Sequence, residues 1–174
     1  MPRETATLAG GCFWCLEAAF TRVPGVVHVE SGYTGGHAVN PTYQQVCTGT
    51  TGHAEAVQVT FEDDVVSYRA LLDIFFAIHD PTTPNRQGGD VGPQYRSAIF
   101  FITPEQERIA REAVAALTEE GVFGSPMVTE IVPLQAWYPA EAHHRDYYKR
   151  NPEQAYCRVV IAPKLAKLRE LLGK

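Results

Sequence analysis

The chemistry-bearing stretch is Gly10-Gly11-Cys12-Phe13-Trp14-Cys15-Leu16-Glu17. Two sulfurs three residues apart suit a dithiol redox pair, half of a zinc site, or one nucleophile beside a silent neighbour. Zinc needs two more ligands at a matching spacing. No second C-x-x-C or H-x-x-x-H follows, and His143-His144 are adjacent, so they do not form the H-E-x-x-H pattern. A cysteine–histidine hydrolase stays open, because six histidines are available and such partners are not readable from sequence distance. A thioredoxin-like dithiol would also follow a strand, but Phe13-Trp14 is a bulky pair to stand between its cysteines. The plain alternative is a buried structural cysteine with two core rings beside it.

The flanking elements argue for reactivity. Thr5 to Ala9 reads as a short strand. Leu16, Ala19, Phe20 and Val23 recur at helical spacing, up to the stop at Val23-Pro24-Gly25. The two glycines between them permit a tight strand-to-helix turn. Cys12 is then at a helix N-terminus, where unpaired N–H groups and the dipole favour a thiolate and a lowered pKa. Large rings next to a reactive sulfur suggest a pocket for a small apolar group.

A second reactive position comes from a strand. Val26 to Tyr33 and Ala54 to Phe61 both read as strands, and in the latter alternation puts Glu55 on one face with Val57, Val59 and Phe61. A carboxylate aimed at the apolar side must be paired, be raised in pKa, or serve a function. The competing reading is a strand-end glutamate that curls into water. Tyr43 to Cys47 forms one helical turn. Ser67 caps a helix whose Leu71, Leu72, Phe75, Phe76 and His79 make one stripe, with His79 read as a core histidine. The loop from Asp80 to Gln94 delivers Asp90 and Tyr95 near the start of a strand at Ala98 to Ile102. Thr103-Pro104 starts a helix that Gly121 ends. Met127 to Pro133 reads as strand. Pro139 opens a helix with Glu141, His143, His144, Tyr147 and Tyr148, closed at Asn151-Pro152. Tyr156 to Ile161 reads as a last strand holding Cys157, and Pro163 to Leu172 as a helix. Together these give an α+β fold, a two-layer sandwich of helices on a mixed, largely antiparallel sheet with a ferredoxin-like core.

At 174 residues, one domain spanning 1–174 is expected. Net charge is −5 with no run of Lys or Arg, which argues against nucleic-acid and anionic-membrane partners. No signal-like h-region leads the chain and no apolar run reaches membrane-spanning length, so a cytoplasmic protein is expected. Cys12, Cys15, Cys47 and Cys157 then serve catalysis, metal binding or nothing, rather than a disulfide scaffold.

Beyond these local readings, several motifs recur together. Gly10-Gly11-Cys12-Phe13-Trp14, Gly32-Tyr33-Thr34-Gly35-Gly36, Asn40-Pro41-Thr42-Tyr43, Thr51-Gly52-His53-Ala54-Glu55-Ala56-Val57, Asp90 to Ser97 and Ala140-Glu141-Ala142-His143-His144 resemble the motifs of the peptide methionine sulfoxide reductase A family, in order and over nearly the whole chain. The resemblance implies a two-layer α/β sandwich and reduction of methionine S-sulfoxide, free or in oxidised proteins and peptides, without metal or organic cofactor. It implies Cys12 as nucleophile, Phe13 and Trp14 as the rings around the S-methyl, and Glu55 as the acid. Tyr43 and Tyr95 become the donors to the sulfoxide oxygen, and Asp90 the organiser of neighbouring groups. It also implies thioredoxin as the reductant; a monomer is expected. The sequence departs from the family in the resolving step. Many members have glycine at the position of Cys15 and a flexible glycine-rich tail after the position of Cys157. Cys15 and Cys157 are therefore both candidates for the resolving thiol, with Cys47 behind them. A sulfoxide-peptide binder or redox sensor without turnover is the rival, and the retained acid, tyrosines and spare cysteine argue against it.

Overall fold

The computed structural model describes residues 3–87, 89–145, 147–151 and 153–172. Met1-Pro2, read as the lead into the first strand, and Pro152, read as a helix stop, lie outside the described residues. A six-stranded mixed sheet organises the chain. Strand β1 (Arg3–Ala9) pairs antiparallel with β3 (Ala54–Glu62) on one side and β6 (Ala98–Phe101) on the other. Beyond β3 come β2 (Val26–Thr34) and then β8 (Trp137–Pro139), both antiparallel, while β6 pairs parallel with the edge strand β7 (Glu130–Pro133). A two-residue hairpin, β4 (Arg86–Gln87) with β5 (Asp90–Val91), stands apart inside the long loop.

The interior position of β3 explains its burial. Glu55, Val57, Val59 and Phe61 are all buried, as alternation requires, and Ala54 and Ala56 on the opposite face are buried too. Helix α1 (Phe13–Phe20) packs on β2 and β3. Helix α2 (Tyr43–Cys47) is one turn with a full capping box between Thr42 and Gln45. Helices α3 (Tyr68–Ile78) and α4 (Pro104–Glu119) begin at Ser67 and Thr103, whose hydroxyls accept from Ala70 N at 3.0 Å and Gln106 N at 3.1 Å. No helix among the described residues is long and apolar enough to cross a membrane.

The last third departs from the sequence reading. The chain joins β7 only at Glu130, not at Met127. The helix read from Pro139 onward is a 3₁₀ turn at Ala142–His144 and a four-residue helix α5 (Tyr147–Arg150), with Asp146 outside the described residues. The strand read at Tyr156 to Ile161 is helical: Cys157–Ile161 form a π-helical turn that runs into α6 (Ala162–Leu172). The reason is visible in burial. Cys157, Ile161, Leu165 and Leu168 are buried at spacings of four, four and three, a helical stripe that outweighs the strand preference of Val159-Val160-Ile161. That stripe faces α1 and α3.

Candidate active site

Cys12 caps α1 with an extended backbone (φ −69°, ψ 131°). The turn that brings it there needs both glycines. Gly11 has φ +90°, a conformation that L side chains rarely adopt, and its N–H donates to Tyr95 O at 3.2 Å. A Cβ on Gly10 would lie 2.8 Å from the His79 ring. That ring is held at both nitrogens, Nδ1 by the Phe75 carbonyl and Nε2 by Ser97 Oγ at 2.8 Å. Burial lowers the His79 pKa to about 4, so it is a neutral core histidine, and its work is to wall the turn.

Glu55 enters from β3 and is 0% exposed. Its Oε1 accepts the Phe13 N–H at 3.1 Å, and its Oε2 has no hydrogen-bond partner among the described residues. Burial raises its pKa to about 8, the Phe13 N–H pulls it down, and Asp90 and Cys15 push it up. A buried carboxyl oxygen without a donor is where a proton resides, so Glu55 is a neutral acid near pH 7. The strand-end glutamate curling into water is not what the fold contains.

The expectation of a lowered Cys12 pKa is overturned. Cys12 is 5% exposed, and burial, its hydrogen bond with Cys15 and the Glu55 charge push its thiol well above the ordinary value. At the helix N-terminus the Trp14 N–H pulls the thiol down, but burial and its neighbours outweigh that pull. Cys15 is lowered instead: the hydrogen bond from Cys12 outweighs burial, with Lys164 and Tyr156 assisting.

The oxygen-bearing side chains converge from separate loops. Tyr43 opens α2; its N–H donates to Glu141 Oε2 at 2.9 Å, and Glu141 Oε1 accepts from Tyr33 Oη at 2.8 Å. Tyr95 ends the 3₁₀ turn Pro93–Tyr95 that meets Gly11. Burial raises the pKa of both phenols, Tyr43 and Tyr95, so both stay protonated. Asp90 sits on β5 opposite Gln87, whose amide grips both backbone polar atoms of Asp80. Asp90 Oδ2 accepts from Tyr156 Oη at 2.6 Å. Phe13 lies in the core against Tyr33 and Tyr43, with centroids 5.7 and 6.1 Å away. Trp14 is half-buried, stacks on Tyr147 at 3.8 Å and donates from Nε1 to His144 Nδ1 at 3.1 Å.

These side chains make one site: a thiol and a protonated carboxyl at the same helix start, phenols around them, rings beside the sulfur, and a second thiol in contact. Such a set can protonate an oxygen while sulfur attacks its neighbour, then close a disulfide. Cys157 is also close to Cys15 but is 0% exposed, and Cys47 is exposed beside the Tyr43 hydroxyl.

The family model described as peptide methionine sulfoxide reductase matches residues 4–173. The chain belongs to that family. A relative from Deinococcus radiodurans, named peptide methionine sulfoxide reductase MsrA, is 58% identical over 171 residues, covering 98% of this chain and 83% of its own. The crystal structure of Mxr1 from Saccharomyces cerevisiae in reduced form superposes with a TM-score of 0.83 at 34% identity, over 89% of each chain. The same yeast protein in complex with Trx2 superposes with a TM-score of 0.59 at 25% identity, over 83% of this chain and 84% of that one.

Four members of the site escaped the sequence reading of roles: Tyr33, Glu141, His144 and Tyr156. Glu141 and His144 stand in a quoted motif, yet their partners Tyr33, Tyr43 and Trp14 are about a hundred residues away in sequence, beyond any local pattern. Tyr156 carried one signal, its adjacency to Cys157, but the strand reading of that segment would have aimed it wrongly.

Proposed function

We propose that this protein reduces methionine S-sulfoxide, free or in peptides and proteins, to methionine, with Cys12 as attacking sulfur and Glu55 as acid, in the repair of oxidised proteins. The observation that carries this reading is the neutral buried carboxyl of Glu55 at the helix start that Cys12 caps. A sulfoxide sulfur becomes electrophilic when its oxygen is protonated. Glu55 supplies that proton, and Tyr43 and Tyr95 donate hydrogen bonds as charge grows on the oxygen. Phe13 and Trp14 enclose the S-methyl. Cys12 attacks, its proton returns to Glu55, and the S–O bond passes to it: sulfoxide and thiol become methionine and a Cys12 sulfenic acid. The buried thiol thus gives up its proton only when a substrate oxygen takes one in exchange.

Cys15 then attacks the sulfenic acid, water leaves, and a Cys12–Cys15 disulfide remains for an external dithiol to reduce. The contact between the two thiols supports Cys15 as resolver. Thioredoxin is the reductant, a reading supported by the solved complex of the yeast relative with Trx2. Every step runs on thiols and calls for no cofactor. We read the chain as one cytoplasmic, monomeric domain, its helices layered on the sheet around a ferredoxin-like core; packing of α1 on β2 and β3 supports the layering.

Turnover of each sulfoxide epimer, first with dithiothreitol and then with thioredoxin, tests the assignment. The methyl pocket and oxygen donors fix the substituents around a chiral sulfur, so only the S epimer reacts, and Cys12→Ser is inactive on both. Equal rates on the two epimers, or activity in Cys12→Ser, contradict it.

A further inference from the structure

Cys15 has to lose a proton to attack the sulfenic acid, and at 1% exposure it has little contact with bulk water. Besides the Cys12 thiol, its sulfur meets Tyr156, with Oη 3.9 Å from Sγ. A phenol has a single proton. Tyr156 gives that proton to Asp90 Oδ2 at 2.6 Å. With that proton engaged, its oxygen can accept from the Cys15 S–H, and the contacts run in one line from Cys15 through Tyr156 to Asp90. Both ends are held. The Tyr156 ring stands edge-on to Trp14, with centroids 5.9 Å apart at 81°, and Asp90 is pinned through its hairpin to Gln87 and Asp80.

We infer that Tyr156 takes the proton of Cys15 as the disulfide closes and passes its own to Asp90. This rests on the reading of Cys12 as the oxidised sulfur and Cys15 as the resolver. The step balances without an outside reagent. The Cys15 proton moves to Tyr156 Oη, and the Tyr156 proton moves to Asp90. The Cys15 electron pair attacks the Cys12 sulfur, and the S–O bond breaks towards oxygen. That oxygen takes the Glu55 proton and leaves as water. Asp90 returns a proton to solvent, and Glu55 takes one up. The Cys12 sulfur is reduced from sulfenic acid to disulfide while the Cys15 sulfur is oxidised from thiol to disulfide.

The test is rapid mixing of full-length protein with one equivalent of S-sulfoxide. Methionine release reports the first step, and sulfenic acid trapped by dimedone reports the wait before closure. In Tyr156→Phe, closure slows by about 10²- to 10⁴-fold, the usual worth of a positioned proton acceptor, and by far more than methionine release does. Its closure rate then rises with pH, because hydroxide replaces the relay, whereas wild type is less dependent. The groups around Cys15 in that profile are Cys12 on α1, Glu55 on β3, Asp90 on β5, Tyr156 and Cys157 on the following helical segment, and Lys164 on α6. Incorporating 3-fluorotyrosine at position 156, which keeps the ring and restores a phenol, returns closure towards the wild-type rate. Closure in Tyr156→Phe at the wild-type rate and pH profile overturns the relay, as does a loss of both steps by the same factor. Normal closure in Cys15→Ser overturns instead the resolver reading on which it rests.

Discussion

Burial keeps both Glu55 and Cys12 uncharged, and that has consequences for activity and stability. The carboxyl pKa stands at about 8 in the fold against 4.5 for the free group, mainly through burial. Between those values the folded chain binds more protons than the unfolded one. The contribution of Glu55 to stability is therefore complete below about pH 4.5 and is lost as pH rises towards 8. Gln cannot ionise and has no such loss. Urea melts from pH 5 to 9 should show Glu55→Gln gaining on wild type across this window, by on the order of a few kcal/mol at pH 8. The same variant should form sulfenic acid about 10²- to 10³-fold more slowly, because the amide donates a hydrogen bond but transfers no proton. A parallel pair of stability curves, or an unchanged single-turnover rate, would remove Glu55 from the role of acid. This residue was legible beforehand, since alternation along β3 alone aimed it at the core.

At the scale of elements, the site is assembled by loops that reach one another through a few polar side chains. Glu141 is the main tie. It accepts from the Tyr43 backbone and the Tyr33 hydroxyl, so it sets where α2 starts relative to β2. Burial alone would raise its pKa, but those donors outweigh it and hold it low, keeping a carboxylate in place. In Glu141→Gln one of its two oxygens becomes an N–H₂ that cannot accept. One donor is left unpaired, at about 1–3 kcal/mol. A thermal melt should show that loss, and KM for methionine sulfoxide should rise as Tyr43 loses its anchor. An unchanged melting temperature and KM would mean that α2 is positioned by other contacts. Legibility follows the same division. The strand–turn–helix around Cys12, the β3 alternation, and the Ser67 and Thr103 caps are local signals, and each names its element. The segment 137–161 has few such signals. Its turns are set by Glu141, His144 and Tyr156 reaching distant partners, and its helical stripe from Cys157 was masked by three consecutive β-branched residues.

Over the whole molecule, the choice of resolving thiol comes down to what must move. Cys12 and Cys15 are three residues apart at the start of α1, where side chains are separated by roughly 5–6 Å at Cβ. A disulfide needs about 4 Å, so adjusting one helical turn is enough. Bringing Cys157 to Cys12 instead means moving the helical stripe of Cys157 and Ile161 off α1 and disturbing Leu165 and Leu168 behind it. Exposing even two such side chains costs about 3–5 kcal/mol before any bond is made. Cys47 is exposed at the far end of α2, which the Thr42 capping box and Glu141 hold in place. Accordingly Cys15→Ser should abolish thioredoxin-linked turnover while its first methionine is still released. Cys157→Ser and Cys47→Ser should retain turnover within about twofold of wild type, with Cys157→Ser losing about 1–2 kcal/mol of stability for burying a hydroxyl. Peptide mapping after one equivalent of substrate should join Cys12 to Cys15. A Cys12–Cys157 bridge in wild type, with turnover lost in Cys157→Ser, would show that the C-terminal helix does unwind during each cycle and would reverse the assignment.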